Sequence, residues 1–268
     1  MEVRNRVIVV TGAAGGIGRA LCRRFADEQA ERVVVSDVDE SAAQAVSSEL
    51  GGLAIACDVS SPDSMDALVR RTIAECGRID VFVSNAGVTS KGGVDLPIED
   101  WQRCWDVNVM AHVHAARSVV PRMLERGEGY LVQVASAAGL LTEMGSAPYS
   151  TTKHAAVALA EWLAVHYQPR GIRVSCVCPA GVDTGFLNPD NVYDQFLKRT
   201  ACSPEQVAEA VISTMREETF LALPHPEVGE FFAFKAQHYD EWLENFAKLN
   251  ERMQRLAAKR LRRKDGAD

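Results

Sequence analysis

Residues 149–153 read YSTTK, with Tyr149 and Lys153 four apart. On a helix that spacing puts both side chains on one face. A tyrosine is a poor base at neutral pH, because its phenol ionises near 10. A neighbouring ammonium favours the phenolate, so the pair could exchange a proton with a bound oxygen atom. Lowering the phenol by about 2–3 pKa units corresponds to about 3–4 kcal/mol, within reach of charges in a sheltered cleft. Ser136 stands thirteen residues upstream, at the end of the apolar run GYLVQVAS. From there its hydroxyl could hold the same oxygen beside Tyr149. A bare Y-x-x-x-K is also what a half-buried helix start with a solvated lysine looks like. The residues upstream favour chemistry.

TGAAGGIG, at 11–18, joins an apolar run to a helical one. Gly12, Gly16 and Gly18 permit a tight turn and close approach of a ligand to the backbone. Free N–H groups at the helix start, with the helix dipole, favour a diphosphate. The spacing is not G-x-G-x-x-G, since Ala14 and Leu21 stand at two of its positions, and the P-loop lysine is missing. Asp37 ends the next apolar run, where a carboxylate can accept hydrogen bonds from a ribose 2′-hydroxyl. The same charge would repel the additional phosphate of NADP, and residues 38–40 hold no arginine or lysine to bind it. Asp58 closes the third apolar run, within reach of an adenine edge. Asn85, Ala86 and Gly87 close the fourth, where small residues let a nucleotide lie against the chain.

These residues need a scaffold that brings the ends of several strands together. Strand-like runs occur at 6–10, 32–37, 53–58, 79–85, 129–136, 172–179 and 219–224. Helical patterns separate them: about 16–29, 40–50, 63–76, a long one over 99–126 and the one carrying YSTTK. Pro121 is expected to bend the long helix or end it early. Continuously apolar strands fit a parallel sheet covered on both faces. The alternation predicts a single-domain, doubly wound α/β sheet of about seven strands, in which ligands bind beyond the carboxyl ends of the strands.

The chain has 268 residues, 47% of them apolar, and a formal charge of −7. That charge argues against nucleic-acid binding. No apolar run is long enough to span a membrane, and the start lacks a signal-peptide layout, so a cytoplasmic location is expected. Seven cysteines include no C-x-x-C pair. Cys176 and Cys178 alternate onto one strand face and read as buried thiols, with no metal site. His112 and His154 read as structural.

In order and spacing, TGAAGGIG, the DV at 58–59, NAG at 85–87, the VN at 107–108, the VAS at 134–136 and YSTTK together resemble the short-chain dehydrogenases/reductases. The resemblance spans roughly residues 6–185. It implies a Rossmann-type fold, a nicotinamide cofactor and a catalytic set of Asn108, Ser136, Tyr149 and Lys153. It also implies cofactor contacts from Gly12, Gly16, Ile17, Gly18, Asp37, Asp58, Val59, Asn85, Ala86, Gly87, Tyr149, Lys153, Val182 and Thr184. Lys153 would bind the nicotinamide ribose, and Asn108 would hold a water joining Lys153 to solvent. One departure follows the sixth strand. PAGVDT carries Ala180 where the family commonly has glycine, with Val182 and Thr184 still in register.

The expected activity is NAD-dependent oxidation of an alcohol or reduction of a ketone. Tyr149 takes the hydroxyl proton as hydride leaves, or returns it in the reverse direction. An NADPH-dependent carbonyl reductase and a non-catalytic NAD-binding sensor or scaffold are the alternatives. The intact Ser136, Tyr149 and Lys153 set argues against the last. Leu140, Leu141 and Met144 on one wall, with Phe186, Leu187, Val192, Tyr193 and Phe196 on the other, suit an apolar secondary alcohol or ketone. Glu143, the lone charge of the first wall, is expected to face water. A homodimer or homotetramer is implied, through helices near 99–126 and 149–167. The dinucleotide-binding and catalytic part should occupy 1–226, with a helical extension over 227–268. There Tyr239, Trp242, Leu243, Phe246, Leu249, Met253 and Leu256 form one helical stripe that needs cover. The basic ending KRLRRKDGAD should be a frayed tail.

Overall fold

The computed structural model describes residues 1–264, with side chains as far as Arg260. The chain alternates β1 (Val7–Thr11), α1 (Gly16–Asp27), β2 (Arg32–Asp37), α2 (Glu40–Leu50), β3 (Leu53–Ala56), α3 (Pro62–Cys76) and β4 (Val81–Ser84). After a long loop come α4 (Ile98–Trp105), a π-helical turn (Asp106–Met110) and α5 (Ala111–Arg126). The second half holds β5 (Gly129–Val134), α6 (Ala138–Leu141), α7 (Ala147–Tyr167), β6 (Ile172–Val177), α8 (Val192–Lys198), α9 (Pro204–Glu217) and β7 (Leu221–Ala222). Two helices, α10 (Glu227–Gln237) and α11 (Tyr239–Lys264), finish it.

All seven strands are parallel, in the order β3-β2-β1-β4-β5-β6-β7. The order reverses between β1 and β4, and such a reversal opens a crevice at the strand ends. Alternation along β1 shows why both faces are apolar. Ile8 and Val10 pack with Leu21, Phe25, Val211 and Ile212 from α1 and α9. Val9 points the other way, toward Leu68, Val119 and Leu163 from α3, α5 and α7.

Caps start and stop the helices where the sequence allows. Ser61 and Ser203 accept hydrogen bonds from the amides of Ser64 and Gln206, with proline at the first helical position in each case. Ser146 does the same for Tyr149, so the cap that begins α7 also sets the height of Tyr149 on it.

Three expectations differ. The long helix is interrupted by the π turn, yet Pro121 neither ends nor opens it, and α5 runs on to Arg126. Pro121 and Arg117 are exposed, so water can serve the Arg117 carbonyl that Pro121 leaves without a donor. The seventh strand keeps only Leu221 and Ala222, although the Phe220 carbonyl before it still accepts from the Cys176 amide. The basic ending is helical to Lys264; residues 265–268 lie outside the described residues. Pairs such as Glu251–Arg255 and basic residues near the carboxyl end support that helix.

The final helices pack on the same body. Val228 and Trp242 join a cluster with Leu140, Ala156 and Cys176. Lys235 donates to the Leu140 carbonyl at 2.7 Å, and Tyr193 of α8 donates to Asn250 of α11 at 2.8 Å. The α11 stripe is covered in part: Trp242 and Met253 are buried, whereas Tyr239, Leu243 and Leu256 are about half-exposed. Among the described residues no helix is long and apolar enough to cross a membrane.

Candidate active site

The suggestive residues converge at the carboxyl ends of β1, β2, β4, β5 and β6. Gly12 adopts φ +62°, and a Cβ there would lie 2.7 Å from the Ala86 Cα. At Gly18 a Cβ would lie 2.2 Å from the Gly12 carbonyl oxygen. The turn and α1 are therefore closed on each other, backbone to backbone. Asn85 fastens the arrangement, its Nδ2 donating to the Thr11 and Gly12 carbonyls at 2.9 and 3.0 Å. Among the described residues no side chain caps α1, so its first amides can meet an anion. Gly16 faces Thr184, whose methyl would be 3.2 Å from a Cβ there, which brings the loop after β6 onto the first turn. Ile17 packs on the core beneath.

Asp37 sits beside this turn. One oxygen accepts from the Ala14 amide at 3.0 Å and the other from the Asp39 amide at 3.2 Å. Asp58 is exposed and curls onto Ser60, accepting from its amide and hydroxyl at 3.0 and 2.6 Å. Val59 is buried in the core. Val182 bridges to Cys202, and Ala180, at the position of the missing glycine, donates its amide to His225 Nδ1 at 3.2 Å. A ring nitrogen that accepts is unprotonated, so His225 presents Nε2–H to the Thr200 carbonyl at 3.2 Å. His225 thereby ties two loops, a role with no signature in the sequence.

Tyr149, Lys153, Ser136 and Asn108 meet in the cleft. Lys153 is buried; its Nζ donates to the Val134 carbonyl at 3.0 Å and lies 5.6 Å from the centre of the Tyr149 ring. Gly87 lies against the same group: a Cβ there would make ordinary contacts, 3.4 Å from Asn108 Oδ1 and 3.6 Å from Lys153 Nζ. Asn108 lies in the π turn, fully buried. It accepts from the Val88 amide and donates to the Val88 carbonyl, both at 2.9 Å, and donates to Thr152 at 3.0 Å. Ser136 accepts from the Ala138 amide at 3.1 Å. Phe186 shelters the phenol, ring centres 5.7 Å apart.

The electrostatics refine the expected proton chemistry. Burial pushes the Tyr149 phenol above its ordinary value, opposed by the Ser136 hydroxyl. Burial also lowers the Lys153 ammonium to about 8. The protein by itself keeps Tyr149 protonated, and the phenolate needs a further positive charge in the cleft. Behind Lys153, His112 is fully buried with Nδ1 2.6 Å from Gln133 Oε1. Burial first, then the Lys153 charge, lowers His112 to about 4, which keeps it neutral. His154 bonds to the Ser150 carbonyl of its own helix, at 2.8 Å.

The second wall corrects the expectation for Glu143. Its side chain is 11% exposed and pairs with Lys91 at 3.2 Å, and Lys91 also reaches Asp194 at 2.6 Å. The cause is distant in sequence. Residues 90–92 pair with residues 145–147 through Gly92, which carries Lys91 over Glu143. Asp194 is wholly buried. Neither Lys91 nor Asp194 belongs to a recognisable motif.

A phosphate-ready glycine turn at the switch point of a doubly wound sheet, beside a Ser, Tyr and Lys set, defines a Rossmann-fold oxidoreductase of the nicotinamide-dependent class. The chain belongs to the short-chain dehydrogenase family, matching it over residues 6–193. It is 37% identical over 229 residues to a 1-deoxy-11-beta-hydroxypentalenate dehydrogenase of Streptomyces exfoliatus, covering 82% of this chain and 83% of that one. It is 34% identical over 218 residues to a meso-2,3-butanediol dehydrogenase of Serratia marcescens, covering 78% and 86%. A short-chain dehydrogenase/reductase from Burkholderia phymatum, solved in complex with NAD, superposes with a TM-score of 0.82 at 27% identity, over 90% of this chain and 96% of that one.

Proposed function

We propose that the protein is an NAD(H)-dependent dehydrogenase that interconverts a largely apolar secondary alcohol and its ketone, with Tyr149 as acid and base. The observation that carries this is the meeting of Ser136, Tyr149 and Lys153 beside the glycine turn. The cofactor's diphosphate would lie on the amides of Gly16, Ile17 and Gly18, and its adenosine ribose on Asp37. Asp58, Val59, Asn85, Ala86 and Gly87 would line the adenosine side, with Val182 and Thr184 near the nicotinamide. When bound, the oxidised nicotinamide supplies a hydride acceptor and a positive charge. Ser136 holds the substrate oxygen, and Tyr149 takes its proton as the carbon gives up hydride. In reduction Tyr149 returns that proton to the carbonyl oxygen. Lys153 holds the nicotinamide ribose and keeps positive charge below the phenol. Asn108 holds the turn at which a water can connect Lys153 to solvent.

Asp37 supports NAD over NADP, because its carboxylate faces the turn while Val38, beside it, is exposed and uncharged. The alcohols in the names of the two relatives support the substrate class. Exposed Trp105, Trp162 and Val165 on α4 and α7 support a homo-oligomer. The test is absorbance of NADH during turnover of secondary alcohols and ketones of graded size, run in parallel with NADP(H). Turnover with NAD(H) at the higher kcat/KM is expected. NADH binding without turnover of any member would favour a sensor, and faster turnover with NADP(H) would overturn the cofactor assignment.

A further inference from the structure

Lys91 belongs to no motif, yet three parts of the cleft wall meet on it. Its backbone runs beside the residues that begin α7. The Ser90 carbonyl accepts from Ser146 Oγ at 2.5 Å, the Gly92 amide donates to the Gly145 carbonyl at 3.0 Å, and the Ala147 amide donates to the Gly92 carbonyl at 2.9 Å. Ser146 is also the cap that sets Tyr149 on its helix, so this pairing fixes Lys91 relative to the phenol. From there the ammonium reaches two carboxylates, Glu143 of the Tyr149 segment at 3.2 Å and Asp194 of α8 at 2.6 Å.

Asp194 belongs to the segment 184–198, which lies against the phenol. Phe186 stands 5.7 Å from the Tyr149 ring between centres, and a Cβ at Gly145 would fall 3.0 Å from the Tyr193 ring. Asp194 gathers this segment, because its second oxygen accepts from the Asn188 amide at 3.0 Å. Its side chain is wholly buried, whereas Phe186 is 41% exposed. The segment is therefore moored by a buried charge more than by the packing of its aromatic end. Among the described residues Lys91 is the one cation paired with Asp194. A buried carboxylate that loses its cation is strongly destabilised, and turning toward water relieves it. That turn would carry residues 186–194 away from Tyr149.

We propose that Lys91 is a positioning residue: through Asp194 it seats Phe186 and Tyr193 beside Tyr149 and so sets the preference for bulky apolar substrates over small ones. This rests on the dehydrogenase reading above. Lys91 acts on the substrate only through the side chains that Asp194 holds in place. A short alcohol on Ser136 and Tyr149 needs little of that wall, whereas a carbon ring is held by it. Each methylene that a fixed apolar wall meets adds to the discrimination, and a wall that moves away loses it.

The experiment compares cyclohexanol with 2-propanol, and cyclohexanone with acetone, using the full chain and NAD(H). For wild type, kcat/KM for the ring compound is expected to exceed that for the small one by about tenfold or more. Lys91→Met should lower that ratio about tenfold, through KM of the ring compound, while the small compound stays within about threefold. Lys91→Arg, whose guanidinium can serve both carboxylates, should keep the ratio within about threefold of wild type. Asp194→Asn removes the charge but keeps an acceptor for the Asn188 amide, and it should cause the same fall as Lys91→Met. The double variant should fall no more than about twofold below the lower single one, because one contact is lost in all three. If Lys91→Met does not fold, Lys91→Gln decides: a fall of about threefold or more supports the proposal, and an unchanged ratio overturns it. Equal wild-type values for ring and small compounds, equal losses on both in Lys91→Met, or additive falls in the double variant overturn the role of Lys91 and leave the dehydrogenase reading standing. No turnover of any alcohol or ketone overturns both.

Discussion

The glycine turn and the Glu143 wall flank one cleft, and they are made by opposite means. The turn is a backbone object, and its shape depends on what Gly12 and Gly18 lack. A Cβ at either would strike main-chain atoms, which cannot rotate away. The wall is a side-chain object. Lys91, Glu143 and Asp194 come from three separate loops or helices and hold one another by charge. A backbone-built site has one shape for one common ligand, whereas a charge-built wall can be rewritten by single substitutions. Under the proposed function, one half would take the shared cofactor and the other the substrate.

The sharpest way to separate the halves from the chemistry is Tyr149→Phe. It leaves both halves assembled and removes the proton carrier, so kcat should fall by about a thousandfold while NADH affinity, read by fluorescence titration, stays within a few-fold. Near wild-type kcat would remove Tyr149 from the mechanism.

His112 lies beneath Lys153, on the floor common to both halves. Its folded pKa, about 4, is below its ordinary 6.5, so the unfolded chain binds more protons between those values. Stability should therefore fall as pH drops through that window, by up to about 3 kcal/mol at its lower edge. His112→Leu should flatten this part of the acid limb in thermal melts. An acid limb unchanged by the substitution would assign the loss to carboxylates instead.

Matched glycine substitutions test the contrast directly. Gly18→Ala meets the Gly12 carbonyl and should cost about 1–3 kcal/mol of stability and weaken NADH binding. Gly145→Ala meets side-chain atoms first, Glu143 Oε1 and the Cγ and Cβ of Tyr193, which can shift further than main chain, so it should cost less and appear in substrate KM. Equal losses in melting temperature would erase the distinction between the halves.

The smallest effect expected is on cofactor choice. Asp37→Ala combined with Val38→Arg should move the NAD to NADP ratio of kcat/KM by about tenfold toward NADP, because a repelling charge is replaced by an attracting one. An unchanged ratio would place the discrimination elsewhere in the turn.

The two halves also differ in how far they could be read in advance. The glycine turn, Asp37, NAG and YSTTK are local strings whose geometry follows from residue type, and the parallel sheet follows from its apolar strands. Glu143 could not be read this way, since its partner Lys91 is 52 residues away and reaches it only through strand-like pairing of two loops. His225 and Asp194 escaped for the same reason. The π turn has no residue signature at all, and α5 continues past Pro121 because the exposed setting relieves the usual penalty.

That π turn has a consequence for how the chain can change in length. A π turn amounts to one residue inserted into an α-helix. Deleting one residue between Asp106 and Met110 would therefore return regular α-winding and leave everything beyond it in phase with α4, at the expense of the turn that places Asn108. A further inserted residue has no such reserve: wound as α-helix it would rotate the rest by about 100° and swing Ala115, Val119 and Met123 from the core toward solvent. Across these five positions a one-residue deletion should therefore cost Asn108 its place more than it costs the fold, whereas an insertion should cost the fold.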